Sequence, residues 1–476
     1  MKPSSIAASA TLLVMLSGCT LIPDFMRPDV PTPTAWPTGE AYPKPGPGEA
    51  DQKLAGTDWH RYFSDPKLRQ VIALSLSNNR DLRVAALNIE KAQAQSRISQ
   101  SDLFPKVNGE GSGDIERVGR RNSLTGSAET THTYTASLGV SSFELDLFGR
   151  LRSLNEQSVE QYLSTVEARR ATQISLVSEV VSDYLTLEAD QSRLSLAKKT
   201  LESDQQSLDL TTQMYQSGEG TILDVRQAET SVDSAKVDIE QFTTSVAQDL
   251  NALTLLVGAT VPVSLLPGDT IEPVTTITSI PADVPSEVLT SRPDILEAEH
   301  TLKAANANIG AARAAFFPKI TLTSSTGSTS DALATLFKAG TGGWAFAPDI
   351  VLPIFDWGEN QANLDVAKLD KRIDVANYEK SIQTAFREVA DALAERGTID
   401  QQVAAQEALV RSSEESYRLS SERYQQGLAT HLDVLDSQRS LYSAQQNLIS
   451  INLGRENNLV TLYKVFGGGW QEAESS

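Results

Sequence analysis

The chain of 476 residues contains one cysteine, and that scarcity limits what it can build. A single cysteine cannot form a disulfide within the chain and cannot supply a cysteine-ligated metal site. Aromatic residues make up 6% of the sequence, which is little for ordinary globular packing and favours an elongated protein. Basic residues number 41 against 61 acidic ones, and the net charge of −20 argues against a nucleic acid partner.

A clustered catalytic set is also lacking. The four histidines are scattered, without His-x-x-x-His spacing. Glu297, Glu299 and His300 lie close in sequence, but neighbouring residues point in different directions around a helix, so a solvated helical face explains them. Gly467-Gly468-Gly469 ends the last predicted helix and precedes no other, which indicates a helix stop and not a phosphate cradle. We therefore predict no enzyme activity, no cofactor and no metal site.

Long apolar runs are confined to the N-terminus. After Cys19 no run approaches the roughly 18 residues of a membrane helix. Before it, Lys2, an apolar stretch and Leu16-Ser17-Gly18-Cys19 have the layout of an export signal and resemble a bacterial lipoprotein signal. The resemblance implies cleavage before Cys19, lipidation of Cys19 and, with Thr20 beside it, sorting to the outer membrane. A plain secretory signal with a chance cysteine is the alternative.

The chain repeats itself. Residues 210–258 align without gaps on residues 419–467, at an offset of 209. Upstream, Phe-Pro-Lys at 104 matches Phe-Pro-Lys at 317, at an offset of 213, so a four-residue difference lies between these anchors. The matched positions of the downstream block include Tyr215 with Tyr424, Gly218 with Gly427, and Leu223-Asp224-Val225 with Leu432-Asp433-Val434. The pattern indicates a tandem duplication.

Each copy contains long helical segments. Neither proline nor glycine occurs from Arg150 to Ser217, and apolar residues recur there at intervals of seven, which predicts a coiled-coil seam. At about 1.5 Å per residue, this span makes a rod of roughly 100 Å, several times a bilayer's hydrocarbon thickness. The seam residues are Val180, Leu187, Leu194, Leu201, Leu208 and Tyr215, with Val389, Arg396, Val403, Val410, Tyr417 and Tyr424 in the second copy.

Both rods are predicted to turn back as hairpins with tight tips. Gly218 and Gly427 supply the left-handed residue that ends one helix. The Thr221 to Asp224 and Thr430 to Asp433 segments have the composition of capping boxes, which open the next helix.

Four segments show the alternation of apolar and polar residues that is typical of strands, and turns rich in glycine and serine separate them. They are Phe104–Gly113, Tyr134–Phe148, Phe317–Gly327 and Trp344–Phe355. The last one carries apolar residues on one face, as a lipid-facing strand does. These residues are Trp344, Phe346, Ile350, Leu352 and Ile354. Spanning strands must close into a barrel of about eight strands or more, so several chains must share one barrel, and three chains give twelve strands.

The predicted organisation follows from these elements. Each repeat is expected to hold a helix, two strands and a long helical hairpin. The segments are a signal peptide at 1–18, a lipidated proline-rich linker at 19–60, repeat 1 at 61–258, a proline-rich connector at 259–290, repeat 2 at 291–467 and a C-terminal tail at 468–476.

Several short motifs occur together in this chain. They are the lipobox, Arg292-Pro293-Asp294-Ile295, the two Phe-Pro-Lys strand starts, and Tyr-x-x-Gly followed by Leu-Asp-Val in both tips. In combination they resemble the TolC outer-membrane factor family over nearly all of the mature chain. The resemblance is most specific to the lipoprotein branch, the OprM-like components of resistance-nodulation-division efflux systems.

The resemblance implies a mainly α fold with a small β part. Duplicated helical hairpins of a homotrimer form a twelve-helix α-barrel in the periplasm, topped by a shared twelve-stranded β-barrel in the outer membrane. It also implies a passive exit duct for small molecules. Its partners are a periplasmic adaptor (membrane fusion) protein and an inner-membrane resistance-nodulation-division pump.

The family closes its periplasmic aperture with acidic and apolar residues of the second hairpin, and Asp436 and Leu432 fall on such positions. Asp436 lies too far into its helix to cap it. Asp433 ends a capping box, so stabilising the helix is its alternative role. Leu432 has a counterpart in Leu223, which leaves an ordinary hairpin contact open.

Arg423 completes the candidate gate, because it is placed to pair with an acid on a neighbouring hairpin; a solvated helix face is the alternative. Ala429 departs from relatives that carry an arginine there, so that latching ion pair is not expected. The tips are also where an adaptor is expected to grip. The candidate docking residues are Tyr215, Gly218, Asp224, Tyr424 and Gly427.

Two other functions stay open at this point. A duct for type I protein secretion has the same fold, since a tunnel wall does not reveal its cargo; the lipoprotein signal favours efflux. A non-conducting periplasmic scaffold, a lipid-anchored coiled coil, belongs to another class. A scaffold has no reason to keep an apolar face on the last strand segment, so this face favours the duct.

Overall fold

The described part of the chain contains eight α-helices and four β-strands. The computed structural model describes residues 20–42, 58–123, 126–275 and 286–469, with residues 286–288 described by their backbone alone. The predicted signal peptide and its lipidation site Cys19 lie outside these ranges. The helices are α1 Trp59–Tyr62, α2 Pro66–Asn78, α3 Arg80–Ser101, α4 Arg150–Ser217, α5 Ile222–Val257, α6 Pro293–Ala314, α7 Glu359–Gln425 and α8 His431–Val465. The strands are β1 Val107–Val118, β2 Glu129–Glu144, β3 Lys319–Ser330 and β4 Gly342–Val351.

The helix bounds confirm the tandem duplication. Helices α3 and α6 have 22 residues each and begin at 80 and 293, which is the predicted offset of 213. Helices α4 and α7 begin at 150 and 359, and α5 and α8 begin at 222 and 431, both at the predicted offset of 209. The four extra residues of the first copy therefore lie between α3 and α4, where β1 and β2 occur. None of the described helices combines the length and the apolar character that a membrane span requires.

The chain divides into two compact units. One comprises Met1–Asp29, Asn88–Thr165 and Glu297–Tyr378, and the other comprises Val30–Leu87, Val166–Leu296 and Glu379–Ser476. The first contains the sheet, and the second contains both hairpin tips.

The heptad seam contributes to the core of the second unit, and its burial declines toward the tip. Val180 and Leu187 of α4 are fully buried, as is Val389 of α7, whereas Tyr215 is 46% exposed. Arg396, the polar member of the ladder, pairs with Asp400 across one helical turn. The seam therefore fixes the helices firmly in their middle and leaves the tips with fewer buried apolar contacts.

The four strands form one antiparallel sheet in chain order, β1-β2-β3-β4. A bulge between Val140 and Phe143 interrupts the β2–β3 register, and Ser142 has a positive φ of 53° there. All ten residues of β4 are exposed in the protomer, including three large apolar side chains that alternate along one face. These are Trp344, Phe346 and Ile350.

The predicted strand limits were wrong at several ends. Strand β1 runs from Val107 to Val118 and not from 104 to 113. Strand β2 ends at Glu144 and not at 148, and β3 runs from Lys319 to Ser330 and not from 317 to 327. Strand β2 starts at Glu129, five residues before the predicted Tyr134. Strand β4 ends at Val351, so Leu352 and Ile354 lie beyond it, exposed but outside the ladder. The last pair of the ladder is Lys319 with Val351, and the residue before Lys319 is proline, which has no amide to continue it.

Residues 20–42 contain neither helix nor strand, as the proline content predicts, and they make defined contacts. In the first unit, the guanidinium of Arg27 pairs with the Glu299 carboxylate and donates to the Tyr378 hydroxyl. In the second unit, Trp36 stacks on Phe386 with ring centroids 4.8 Å apart. The segment that contains Trp36 is therefore packed against α7.

Gly397 sets how closely this segment approaches α7. A Cβ atom at 397 would lie 2.2 Å from the carbonyl oxygen of Ala41, so the backbone would have to move. We expect Gly397→Ala to destabilise the protein by about 1–3 kcal/mol, although alanine favours helix. Melting temperature and protease sensitivity of residues 30–42 measure the effect. Gly454→Ala in α8 meets no atom within 4 Å and is the matched control; equal stability of the two variants would contradict the packing argument.

Candidate aperture at the tips of the helical hairpins

Both hairpins turn through a glycine in the left-handed region, as predicted. Gly218 has φ 84° and Gly427 has φ 71°. Their amides donate to the carbonyls of Tyr215 and Tyr424, at N···O distances of 3.1 and 2.9 Å. A residue with a Cβ atom is strained at this φ, so glycine permits the tight turn.

Each turn is followed by the predicted capping box. The Thr430 hydroxyl accepts from the Asp433 amide at 3.3 Å, and the Asp433 carboxylate accepts from the Thr430 amide at 2.9 Å. Thr221 and Asp224 repeat the arrangement at α5. The hydrogen bonds from Thr430 hold the pKa of the Asp433 carboxyl below its usual value. Asp433 is therefore ionised and engaged in starting α8.

Removal of one cap tests this reading. Thr430→Ala deletes the hydroxyl, and we expect it to loosen the first turn of α8 by about 1 kcal/mol, which is roughly fivefold faster amide exchange. Thr221→Ala is the matched change at the first tip and is expected to loosen α5 alone. Hydrogen–deuterium exchange with mass spectrometry separates the two tips, and unchanged exchange at residues 431–436 in Thr430→Ala would contradict the capping role.

The start of α8 has two faces. Leu432, Asp433 and Asp436 are exposed, with half of the Leu432 surface accessible. His431, Val434, Leu435 and Gln438 are buried against the rest of the unit. The Asp436 carboxylate lies 3.9 Å from the guanidinium of Arg439, a loose pair of two exposed groups. The sequence-predicted gate residues therefore share an exposed face.

A polar groove of about 440 Å³ runs beside this face, between α7 and α8. Asp433 and Asp436 line it together with serines alone, and no apolar side chain contributes. The serines are Ser412, Ser413, Ser416 and Ser420 of α7, with Ser437 and Ser440 of α8. Such a surface is hydrophilic and carries negative charge, so it stays wetted and attracts cations.

Arg423 is exposed near the end of α7. Its guanidinium donates to the Leu428 carbonyl at 3.3 Å, which ties the end of the helix to the turn. Its positive charge also contributes to the lowered pKa of Asp433. Within one chain, Arg423 thus acts on its own tip; the predicted pairing with a neighbouring hairpin stays a prediction.

The first tip differs from the second in its charge. Gln227 stands at the position of Asp436 and is half-buried, and Asp224 is also half-buried. The exposed surface of the first tip includes three large apolar or aromatic side chains. These are Tyr215, Ile222 and Leu223. The exposed surface of the first tip is therefore more apolar, and that of the second is more acidic.

Sequence reasoning missed the polar contacts that join the two hairpins near these tips. The Gln438 amide donates to the Asp204 carboxylate at 2.6 Å, and the Tyr442 hydroxyl donates to Asp238 at 2.9 Å. The His431 imidazole lies 3.4 Å from the Ser207 hydroxyl. One signal was present, because His431 replaces the Ile222 of the first copy.

The Glu297 to His300 stretch divides among separate partners, as the helical geometry predicts. Glu299 pairs with Lys303 and Arg27, while the His300 ring pairs with Glu160 at 2.6 Å. These groups stabilise α6 and its neighbours in the first unit, so their pairing explains their presence.

The model of the family described as outer membrane efflux protein matches residues 71–259 and 284–468. The chain belongs to this family. The outer membrane efflux protein assignment confirms the predicted resemblance, and the two matched segments correspond to the two copies of the repeat. Membership in this family also locates the chain in the outer membrane and assigns it to efflux.

The similarity to curated relatives extends over nearly the whole chain. The probable efflux pump outer membrane protein TtgC of Pseudomonas putida is 48% identical over 469 residues, covering 98% of this chain and 96% of its own. The cation efflux system protein CusC of Escherichia coli is 40% identical, covering 96% and 97%.

Solved structures share the fold. A membrane protein from Pseudomonas aeruginosa superposes with a TM-score of 0.88 at 39% identity, covering 96% of this chain and 99% of its own. The MtrE outer membrane channel of Neisseria gonorrhoeae, solved in an open state, gives 0.84 at 39% identity, covering 95% and 99%. The mainly α fold with a small β part is therefore confirmed, and this outer membrane efflux protein has the architecture of known outer membrane channels.

Proposed function

We propose that three copies of this chain form the exit duct of a tripartite efflux system, gated at the tips of the second hairpins. Membership in the outer membrane efflux protein family is the main support for this proposal. In this assembly each copy contributes four strands to a twelve-stranded barrel and four long helices to a twelve-helix tunnel. Small molecules handed over by a pump leave passively through the tunnel.

The exposed apolar face of β4 supports the shared barrel. Trp344, Phe346 and Ile350 alternate along the strand and have no cover within the described protomer. Strands β1 and β4 are the two sheet edges, and their unpaired backbone groups require partners in hydrocarbon. Pairing β4 of one copy with β1 of the next satisfies both edges and closes the barrel.

The acidic face of α8 supports the gate. By three-fold symmetry Asp436, Asp433 and Leu432 each become a ring of three around the tunnel end. Asp436 is the principal candidate, because its carboxylate is exposed, whereas the Asp433 carboxylate is engaged in the capping box. Arg423 is the candidate partner of an acid from a neighbouring hairpin.

The more apolar first tip supports adaptor docking. Tyr215 and Leu223 are exposed before and after Gly218, and the second tip exposes Leu428 beside Gly427. Cysteine pairs between these tips and the adaptor's own tip test the contact by disulfide formation in cells. We expect crosslinks from positions 215 and 424; their absence at every tip position would exclude this docking mode.

Accumulation of a fluorescent efflux dye in the native bacterium tests the proposed function. Deleting the gene is expected to raise dye retention, and the plasmid-borne wild-type chain is expected to restore export. A dye that leaves equally fast without the chain would contradict efflux. Loss of a secreted protein with unchanged dye export would identify the type I secretion duct instead. Silence of folded protein in planar bilayers would favour the scaffold.

A further inference from the structure

His431 is a buried ionisable group at the tip. It is 2% exposed, it is the first residue of α8, and it directly precedes the exposed gate residues Leu432 and Asp433. Its ring contacts the Tyr424 ring of α7, with centroids 5.3 Å apart. Its Nε2 atom faces the Ser207 hydroxyl of α4 at 3.4 Å. One imidazole thus touches both hairpins of the chain.

The surroundings of His431 suit a neutral imidazole. Its Nδ1 atom is buried and has no hydrogen-bond partner among the described residues. A protonated ring carries a hydrogen on that atom, so protonation would bury a charged donor without an acceptor. The amino end of a helix also disfavours a positive charge. Burial lowers the pKa of His431, and the Asp224 carboxylate opposes the shift.

The charged groups around His431 come from every element packed against it. Helix α5 supplies Asp224, α8 itself supplies Asp433, and α7 supplies Arg423 beside Tyr424. Helix α4 supplies Ser207 and, one turn away, Asp204. None of these places a carboxylate within hydrogen-bond distance of Nδ1 in the described structure.

We propose that His431 is a proton-sensitive latch that holds the two hairpin tips together and releases them in mildly acid medium. The proposal rests on the gate assigned above to the following residues of α8. When α8 separates from α4, His431 reaches water and takes up a proton, and the gate face moves with the helix. The latch thus couples the pH of the compartment around the tips to the aperture.

The sign follows from linkage. The latched state disfavours the charged imidazole, so the released state binds more protons once the pH approaches the ordinary histidine pKa of about 6.5. The contribution of His431 to latching is fully present above that pH and declines as the pH falls through it. Each pKa unit between the two states changes the latch equilibrium about tenfold per protomer.

Asp204 opposes this response over a lower range of pH. Burial raises the pKa of its carboxyl to about 6, and the Gln438 amide counteracts part of the shift. The packed state therefore favours protonated Asp204, and acid strengthens this contact from about pH 6 down to the usual aspartate pKa of about 3.9. Release by His431 begins near pH 6.5, above the range in which Asp204 opposes it. A comparison of pH 7.5 with pH 5.5 therefore covers the start of the release and only the first part of the opposing response.

Planar-bilayer conductance at pH 7.5 and 5.5 tests the latch with three proteins. We expect the mean wild-type conductance to rise about threefold or more on acidification. His431→Phe keeps an aromatic ring against Tyr424 and is expected to lose the rise. His132→Gln removes an exposed histidine of β2 and is expected to keep it. Asp204→Asn removes the opposing group and is expected to enlarge it.

Each outcome decides the proposal. Discrete wild-type conductance without a pH response, or the wild-type response in His431→Phe, overturns the latch and leaves the duct intact. If none of the proteins conducts, the proposed duct is contradicted. Amide hydrogen exchange of the wild-type protein then tests the latch independently. Amide exchange is measured at residues 428–437, corrected for its intrinsic pH dependence and compared with residues 219–228 of the first tip. The latch requires exchange at 428–437 to accelerate relative to the first tip between pH 7.5 and 5.5. Equal exchange at both tips overturns the latch.

Discussion

Asp436→Ala is expected to raise the single-channel conductance of the purified trimer about twofold or more, because three carboxylates leave the constriction together. The position of the Asp436 side chain on α8 supports this expectation. The Asp436 side chain is two-thirds exposed on the same face of α8 as Leu432 and Asp433, it plays no part in the capping box, and its ion pair with Arg439 is long. Removing it is therefore expected to change the opening of the proposed tunnel and to leave the helix start intact.

Asp233→Ala is the matched control for this variant. Asp233 lies on α5, is exposed to a similar degree and pairs with Lys236 three residues on, as Asp436 pairs with Arg439. Its removal is expected to leave the conductance unchanged in the same salt. Equal conductance of Asp436→Ala and wild type would move the gate away from this residue, and an equal rise in Asp233→Ala would indicate a general charge effect.

Arg292→Met is expected to cost about 1–3 kcal/mol, because it leaves the buried Val465 carbonyl without its donor and removes the cation from two part-exposed carboxylates. Arg292 is 7% exposed. Its guanidinium donates to Asp294 at 2.7 Å, to Glu388 of α7 at 3.0 Å and to the Val465 carbonyl at the end of α8 at 3.0 Å. One side chain thus joins the start of α6 to both helices of the second hairpin.

Arg418→Met provides the comparison. Arg418 also binds two carboxylates, Glu415 and Glu422, but half of its side chain is exposed. Exposed pairs of this kind contribute little to stability, so little change is expected. Melting temperature and the yield of trimer in mild detergent measure both variants. Equal losses in the two would show that burial does not govern the effect at Arg292.

Local patterns carried the helical part of the prediction. The break-free span from Arg150 to Ser217 became one helix with those bounds, and both capping boxes formed, because helix ends depend on residues within one turn. The end of β4 was missed because it depends on Pro318, the residue before β3, which alternation within β4 does not reveal.

The candidate site was predictable only in part. The exposed positions of Leu432, Asp433 and Asp436 follow from helical periodicity next to the capping box. The seam behind them was not predictable in this way, because His431 and Ser207 lie 224 residues apart. In the sequence His431 is one of four scattered histidines, and its burial between the two hairpins is evident only from the fold.

Cadmium block of an engineered thiol ring tests the central claim most directly, namely that conduction runs through an aperture at the second hairpin tips. Asp436→Cys would place three thiols at the constriction, and three thiolates bind a soft divalent cation. Micromolar Cd²⁺ is expected to close this channel and a chelator to reopen it, while Asp233→Cys is expected to be unaffected. Unblocked current through Asp436→Cys, with its thiols shown to be accessible and reduced, would contradict a gate at the tips.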